Sequence, residues 1–246
     1  MEKKIEFYCS ENQMMNDAID RIVVKIYSVK KQTGARTLLL SGCGAGSGTT
    51  MVSINLAIAL SMAGWKTLLV DCDLRKGNTY KRMGEAGEEG LTEVLCEEIK
   101  ETEVVRKTNY DNLFYIPNGE ACKSPVRLFC TQKMEELMGK WKEEYDYVIY
   151  DMPSLNLVSD AHILFPQIDG VILVAGVKKT TKRQIRDARR KVLEVQEKYL
   201  GMIINNVEIP QYKKYMKDFD YFGEKNLLKR YKNQMKKMSK EKGKTS

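Results

Sequence analysis

Zinc spacings and a redox C-x-x-C pair are both missing from this 246-residue chain, although it contains six cysteines. Cys9, Cys43, Cys72, Cys96, Cys122 and Cys130 fall inside otherwise ordinary segments, so reduced thiols in a cytoplasmic protein are expected. A signal peptide is lacking too. Met1 is followed by EKKIEFYCSENQ, which has no apolar core. The longest apolar tract, residues 54–64, is interrupted by Asn55 and Ser61 and is far too short to span a bilayer. Work at a membrane would need something else to hold the chain there. No internal repeat is visible, and the one low-complexity tract is a lysine-rich tail. Histidine occurs once, and His162, after Asp160-Ala161, reads as a helix-start residue rather than a base.

Charge is unevenly spread. Residues 211–246 carry twelve Lys/Arg against four Asp/Glu, which accounts for the whole net charge of +8. The basic character belongs to the tail and not to the globular body. Leu227, Leu228, Tyr231, Met235 and Met238 recur there at helical spacing with lysines between them. The tail therefore reads either as a basic amphipathic helix suited to an anionic membrane surface or acidic partner, or as a solvated, frayed terminus. No nucleic-acid recognition motif accompanies the charge, so nucleic acid is not expected as a partner. The length suits one α/β domain with an appendage and is enough to bury a full core.

What is present centres on residues 36–76, RTLLLSGCGAGSGTTMVSINLAIALSMAGWKTLLVDCDLRK. A strand over 37–40 leads into a turn with Gly42, Gly44, Gly46 and Gly48, and a helix starts near Thr49. A second strand over 67–70 ends on Asp71 and Asp73. This is one βαβ unit with a phosphate loop at its first turn. Glycines let the backbone fold tightly, so several N–H groups and the helix N-terminus can point at one anion. A P-loop ends Gly-Lys-Ser/Thr, but here Gly48 is followed by Thr49 and Thr50. Thr50 keeps a hydroxyl for Mg²⁺, while the lysine that reaches the β/γ-phosphates is absent. Lys76, Lys178 and Lys179 are the candidates for replacing that charge.

Elsewhere, Met15, Ala18, Ile19, Ile22, Val23 and Ile26 recur at helical spacing, so an amphipathic helix precedes the first strand, with 30–35 as linker. Residues 74–90 read as a charged loop able to cover a ligand. Further helices are expected over 92–99, 132–142 and 181–199, with a short one around 161–164. Strands are expected over 113–116, 147–151, 169–174 and 201–207. Alternating strands and helices imply a mainly parallel sheet covered on both faces. Three strand ends then carry the candidate site: the glycine turn, Asp71/Asp73, and Asp151 before Met152-Pro153. Taken singly, Asp71 or Asp151 reads equally as a cap. The three in this order point to a Mg²⁺ site, because that ion takes hard oxygen ligands.

VDCDLRK is similar to the Walker A′ motif of the bacterial tyrosine kinases, and YDYVIYDMPSLNLVSDAHILFPQIDGVILV resembles their Walker B region and next strand. VKKTTKRQI and GMIINNVE resemble the family's closing segments, and Tyr212, Tyr215, Tyr221 and Tyr231 echo its C-terminal tyrosine cluster. The resemblance runs from about residue 35 to residue 207. Looser relatives are the deviant-Walker ATPases that position division and partition machinery, which share INLAIALSMAG.

The resemblance implies a three-layer αβα P-loop NTPase fold of the deviant-Walker type, in three parts. These are an N-terminal helix and linker (1–34), a P-loop kinase-like domain (35–209) and a basic, tyrosine-containing tail (210–246). It implies a cytoplasmic kinase of capsule or exopolysaccharide assembly that moves the ATP γ-phosphate to protein tyrosines, its own tail included. A separately encoded transmembrane activator, or polysaccharide co-polymerase, would bring it to the inner face of the membrane. A homo-oligomer is a further implied partner. ATP would lie against Gly44, Ala45, Gly46, Ser47, Gly48, Thr49, Thr50 and Met51. Mg²⁺ would be served by Thr50, Asp71 and Asp151, with Asp71 as base and Asp73 beside it. Asn205 matches an adenine-contacting asparagine, or is a strand-end turn residue. The tail tyrosines are phosphoacceptors or amphipathic filler.

Two departures from the family pattern stand out. The deviant ATPases' extra lysine, at the start of the loop, is replaced by Gly44 here. The family's acid-x-x-Arg-x-x-Arg ring motif falls on Asp17, Asp20 and Val23. The alternatives are a weakened pseudokinase that regulates a polysaccharide assembly complex, or a partition-type ATPase dimer.

Overall fold

The computed structural model describes residues 5–7, 13–76, 89–194, 198–208 and 210. The expectations placed on the tail, its four tyrosines and most of the 74–90 loop lie outside those residues. Residues 1–205 form one compact unit.

Among the described residues seven strands form one sheet in the order β3-β4-β2-β5-β1-β6-β7. They are β1 (Thr37–Gly42), β2 (Thr67–Asp71), β3 (Arg106–Lys107), β4 (Leu113–Ile116), β5 (Tyr147–Met152), β6 (Gly170–Gly176) and β7 (Tyr199–Asn205). All pairings are parallel except β3 on β4. The four central strands, TLLVD, YVIYDM, TLLLSG and GVILVAG, are buried along their whole length. Near-continuous apolar runs of that kind require cover on both faces.

Strand alternation divides the apolar residues between two cores. Leu38, Leu40 and Leu69 face α1 (Gln13–Thr33) and α2 (Thr49–Met62), packing with Ile19, Ile26, Leu56 and Ile58. Leu39, Leu68, Val70 and Tyr150 belong to the opposite core. Its cover comes from α3 (Leu91–Leu95), α4 (Glu101–Val104), α5 (Pro125–Phe129), α6 (Gln132–Glu144), α7 (Asp160–Leu164) and α8 (Lys182–Leu193). Trp141 of α6 anchors that layer. It is fully buried, and its indole N–H donates to Glu101 Oε1 at 2.5 Å. Emptying such a site costs about 3–5 kcal/mol.

The layers and the parallel sheet match expectation, and several boundaries do not. α1 absorbs most of the supposed 30–35 linker and stops only where Gly34 adopts φ +75°. The helix expected over 92–99 stops at Leu95, with Glu97 at φ +60° just beyond it, and α4 is a separate short helix after it. The helix expected to run to 199 ends at Leu193, because Tyr199 already pairs with Val171 of β6 through a bulge. β7 therefore starts two residues before the apolar run that marked it. The two-residue β3 carries only Arg106 and Lys107 and left no apolar signal to read.

Candidate functional site

β1 ends at Gly42, and the chain doubles back at once. A Cβ on Gly42 would lie 3.0 Å from Thr49 Oγ1 and 3.1 Å from the Gly44 carbonyl. Gly46 and Gly48 hold φ of +68° and +79°, where an L side chain would cost about 1–2 kcal/mol. Gly48 caps α2 without a side chain, which leaves the helix N-terminus open to an anion.

Distant residues hold this loop in shape. Ser47 Oγ donates to the Gly44 carbonyl at 2.7 Å and lies 3.2 Å from Thr180 Oγ1. The Asn156 amide donates to the Cys43 and Gln184 carbonyls, both at 2.7 Å. Asn205, the last residue of β7, donates its amide to the Ser47 carbonyl at 3.0 Å. Beside Gly44 the space is filled, since a Cβ there would meet Gln184 Nε2 at 2.9 Å. Gln184 is itself fixed by a capping box with Thr181. A side chain at position 44 would therefore require Gln184 to shift.

The carboxylates come from two neighbouring strands. Asp71 and Asp151 are register partners at the carboxyl ends of β2 and β5, and Asp151 also faces Leu40 of β1. Adjacent strands lie about 5 Å apart, so the three strand ends sit side by side. Ser53 Oγ donates to Asp151 Oδ1 at 3.0 Å, one turn of α2 beyond Thr50. That bond ties the Asp151 carboxylate to the first turns of α2. Asp71 Oδ1 accepts from the Asp73 N–H at 3.0 Å, and the Cys72 N–H donates to the Asp151 carbonyl at 3.0 Å. Burial, and then the charges of Asp71, Asp151 and Asp73, push the Cys72 thiol well above its ordinary value. Burial alone pushes the Cys43 thiol up to about 11. Neither is a thiolate near neutral pH, so the chemistry here belongs to oxygen groups.

Glycine loop and carboxylates share one cleft of about 440 Å³. Its wall contains all of Gly44, Ala45, Gly46, Ser47, Gly48, Thr49, Thr50 and Met51, together with Asp73 and Asp151. Asp71, which is 5% exposed, and Asn205 do not border it. Two cations do. Arg75 forks onto Asp160 with both bonds at 2.7 Å, and Lys76 Nζ lies 2.9 Å from Asp73 Oδ2. Lys178 and Lys179 are exposed and stand outside the cleft wall. His162 sits in α7, where its ring contacts the Ser159 carbonyl and Phe165, away from this wall.

Among the described residues no three His, Cys, Asp or Glu side chains gather into a metal cage. Mg²⁺ does not ask for one. Beside a polyphosphate it takes one or two carboxylates and fills the remaining positions with phosphate oxygens and water. The Thr50 hydroxyl with the Asp151 carboxylate fits that demand, and the open helix end with its left-handed glycines fits the phosphates.

Sequence reasoning missed Ser53, Asn156, Thr180 and Gln184. The Thr181-x-x-Gln184 capping pattern was readable in the sequence, but its position against the glycine loop was not.

Fold and site together define an α/β protein of the P-loop NTPase fold. The AAA domain family matches residues 35–209. Tyrosine-protein kinase YwqD of Bacillus subtilis is 30% identical over 206 residues, covering 84% of this chain and 84% of the relative. Tyrosine-protein kinase CpsD of Streptococcus pneumoniae is 28% identical over 211 residues, covering 85% and 89%. Among solved structures, the kinase domain of Escherichia coli tyrosine kinase ETK superposes with a TM-score of 0.73 at 25% identity, covering 78% of this chain and 75% of that one. The septum site-determining protein MinD of Pyrococcus horikoshii, complexed with Mg-ADP, shares the fold at a TM-score of 0.56 and 21% identity, covering 74% and 77%. The chain belongs to the bacterial tyrosine-protein kinase family. No helix among the described residues is long and apolar enough to cross a membrane.

Proposed function

We propose that this protein is an Mg-ATP-dependent protein-tyrosine kinase of capsule or exopolysaccharide assembly, working at the inner face of the membrane with a separately encoded transmembrane activator. One observation carries the reading: residues 44–51 share a cleft with Asp73 and Asp151, while Asp71 stands in register with Asp151. In this reading the loop amides and the N-terminus of α2 hold the β- and γ-phosphates. Thr50 and Asp151 serve the metal, with Ser53 orienting Asp151. Bound Mg²⁺ supplies the positive charge that offsets charge developing on the transferred phosphoryl group. Asp71 takes the proton of the acceptor tyrosine and Asp73 positions it. Tyr212, Tyr215, Tyr221 and Tyr231 are the acceptors on the chain itself, and the basic tail adds a contact to anionic lipid.

A second reading rests on Thr49, which stands where the family's phosphate-binding lysine belongs. A pseudokinase that retains nucleotide and regulates an assembly complex would tolerate that change. Phosphotyrosine detection after incubation with Mg-ATP and the activator separates the two. Signal in the wild type and none in Asp71→Asn is expected. No signal from the wild type would defeat the kinase reading and leave the regulatory one.

A further inference from the structure

The missing ammonium group leaves a deficit that the fold itself addresses. A phosphate site built from backbone amides alone lacks the full positive charge that a P-loop lysine brings to the β- and γ-oxygens. At the two positions where relatives place a lysine, this chain has Thr49 and Gly44, and Gln184 fills the space beside Gly44. A replacement must therefore come from elsewhere in the cleft wall.

Two cations stand on that wall, and their partners distinguish them. Arg75 is spent: both its bonds go to Asp160, whose side chain is 1% exposed. Withdrawing Arg75 would leave a buried carboxylate unpaired, which is among the costlier changes a folded chain can undergo. Lys76 is different. Its side chain is 43% exposed, it borders the cleft and pairs with Asp73 Oδ2 at 2.9 Å, and its four-carbon stem is flexible. Asp73 is itself only 9% exposed, but unlike Asp160 it borders the cleft, where the divalent cation that accompanies a polyphosphate would take over from the ammonium group. The same exchange frees Asp73 to face the metal or the acceptor.

We infer that Lys76 supplies the phosphate-binding charge that Thr49 lacks, switching its ammonium group from Asp73 to the β/γ-phosphate oxygens of the bound nucleotide. This assignment rests on the nucleotide reading above and selects one of the three lysines that the sequence left open. Exchange of partners also makes Lys76 a nucleotide-responsive element, holding Asp73 when the cleft is empty of phosphate and releasing it when phosphate enters.

Calorimetric titration of the full chain with Mg-ATP, Mg-ADP and AMP tests the inference without relying on turnover. Lys76→Met should weaken Mg-ATP and Mg-ADP by about ten- to a hundredfold, the usual effect of losing a charge-assisted hydrogen bond. AMP, which lacks the phosphates concerned, should bind as it does to the wild type. In a Thr49→Lys background the same substitution should change Mg-ATP affinity less than about threefold, because the restored lysine makes Lys76 redundant. Lys76→Met combined with Asp73→Asn distinguishes contact from mere neutralisation. Persistent weakness in the double variant supports contact with phosphate, and full recovery overturns it. An unchanged Mg-ATP affinity in Lys76→Met overturns this inference alone, whereas a wild-type chain that binds no Mg-nucleotide overturns the nucleotide reading and this inference with it. Equal melting temperatures for wild type and Lys76→Met show that a weakened affinity is not a folding defect.

Discussion

Aspartates stand at both ends of this sheet, and the two sets do opposite work. At the amino-terminal ends, Asp169 before β6 accepts the backbone N–H groups of Arg36 and Thr37 at 2.8 and 3.0 Å and holds Lys142 Nζ at 2.6 Å. Asp146 before β5 accepts the Lys66 N–H at 3.0 Å and lies 3.6 Å from Lys30 Nζ. These carboxylates staple strand starts together. At the carboxyl ends, Asp71, Asp73 and Asp151 crowd beside a glycine loop, close enough that their charges raise the Cys72 thiol. Like charges gathered at one place cost stability unless a cation arrives. One end of the sheet ties strand starts together; the other gathers its carboxylates beside the glycine loop.

Substitutions can break that contrast at several points. The largest effect should come from Asp151→Asn, which we expect to lower phosphotyrosine formation by about a hundredfold or more, since it removes charge at the metal. Its melting temperature should hold or rise, because a neighbour of Asp71 loses its charge; radiolabelled phosphate transfer and a thermal melt read the two quantities. If activity survives, the two ends of the sheet are not functionally distinct.

Asp169→Asn should do the reverse. Removing a carboxylate that serves two backbone N–H groups and a lysine should cost about 2–4 kcal/mol in urea unfolding, with Mg-ATP affinity unchanged. Acid sharpens this prediction. Burial raises the Asp169 carboxyl, but the bonds from Lys142, Arg36 and Thr37 outweigh it and hold the group below its usual 3.8. A depressed carboxylate stabilises the fold above the unfolded value and loses that contribution as pH falls through the folded one. Wild type should therefore lose stability on acidification below about pH 4 more steeply than Asp169→Asn, as urea midpoints taken across that range would record.

Asn205→Ala lies between these cases, since its amide braces the loop from a distance of 158 residues in sequence. Losing one hydrogen bond of about 1 kcal/mol should weaken Mg-ATP by roughly fivefold in calorimetry, with a small loss of stability. Arg183→Ala should do least. Its side chain is 87% exposed and pairs with Asp187 at 3.7 Å. Urea midpoints should agree with wild type to within about 0.5 kcal/mol.

Legibility followed range. Gly46, Gly48, Thr50, Asp71 and Asp151 were readable because each belongs to a local pattern: a glycine turn before a helix, or a carboxylate ending an apolar run. The sheet was readable for the same reason, since uninterrupted apolar strands separated by amphipathic helices admit few arrangements. Ser53 looked like any polar residue in an apolar helix, and only the fold brings it to Asp151, 98 residues away. Thr180 and Ser47 are separated by 133 residues, and nothing in either segment announces the other. The end of α8 was misplaced because helical periodicity continues through residues that β6 claims first as a strand partner.

The sequence by itself determined the alternation of elements, the glycine loop, the acidic strand ends and the loss of the loop lysine. These depend on residue type and spacing within a few turns of chain. Tertiary structure alone decided which side chains brace the loop, which cations line the cleft and which aspartates are staples. Each of those outcomes is a choice of partner, and partners brought together across a hundred residues are set by how the layers pack.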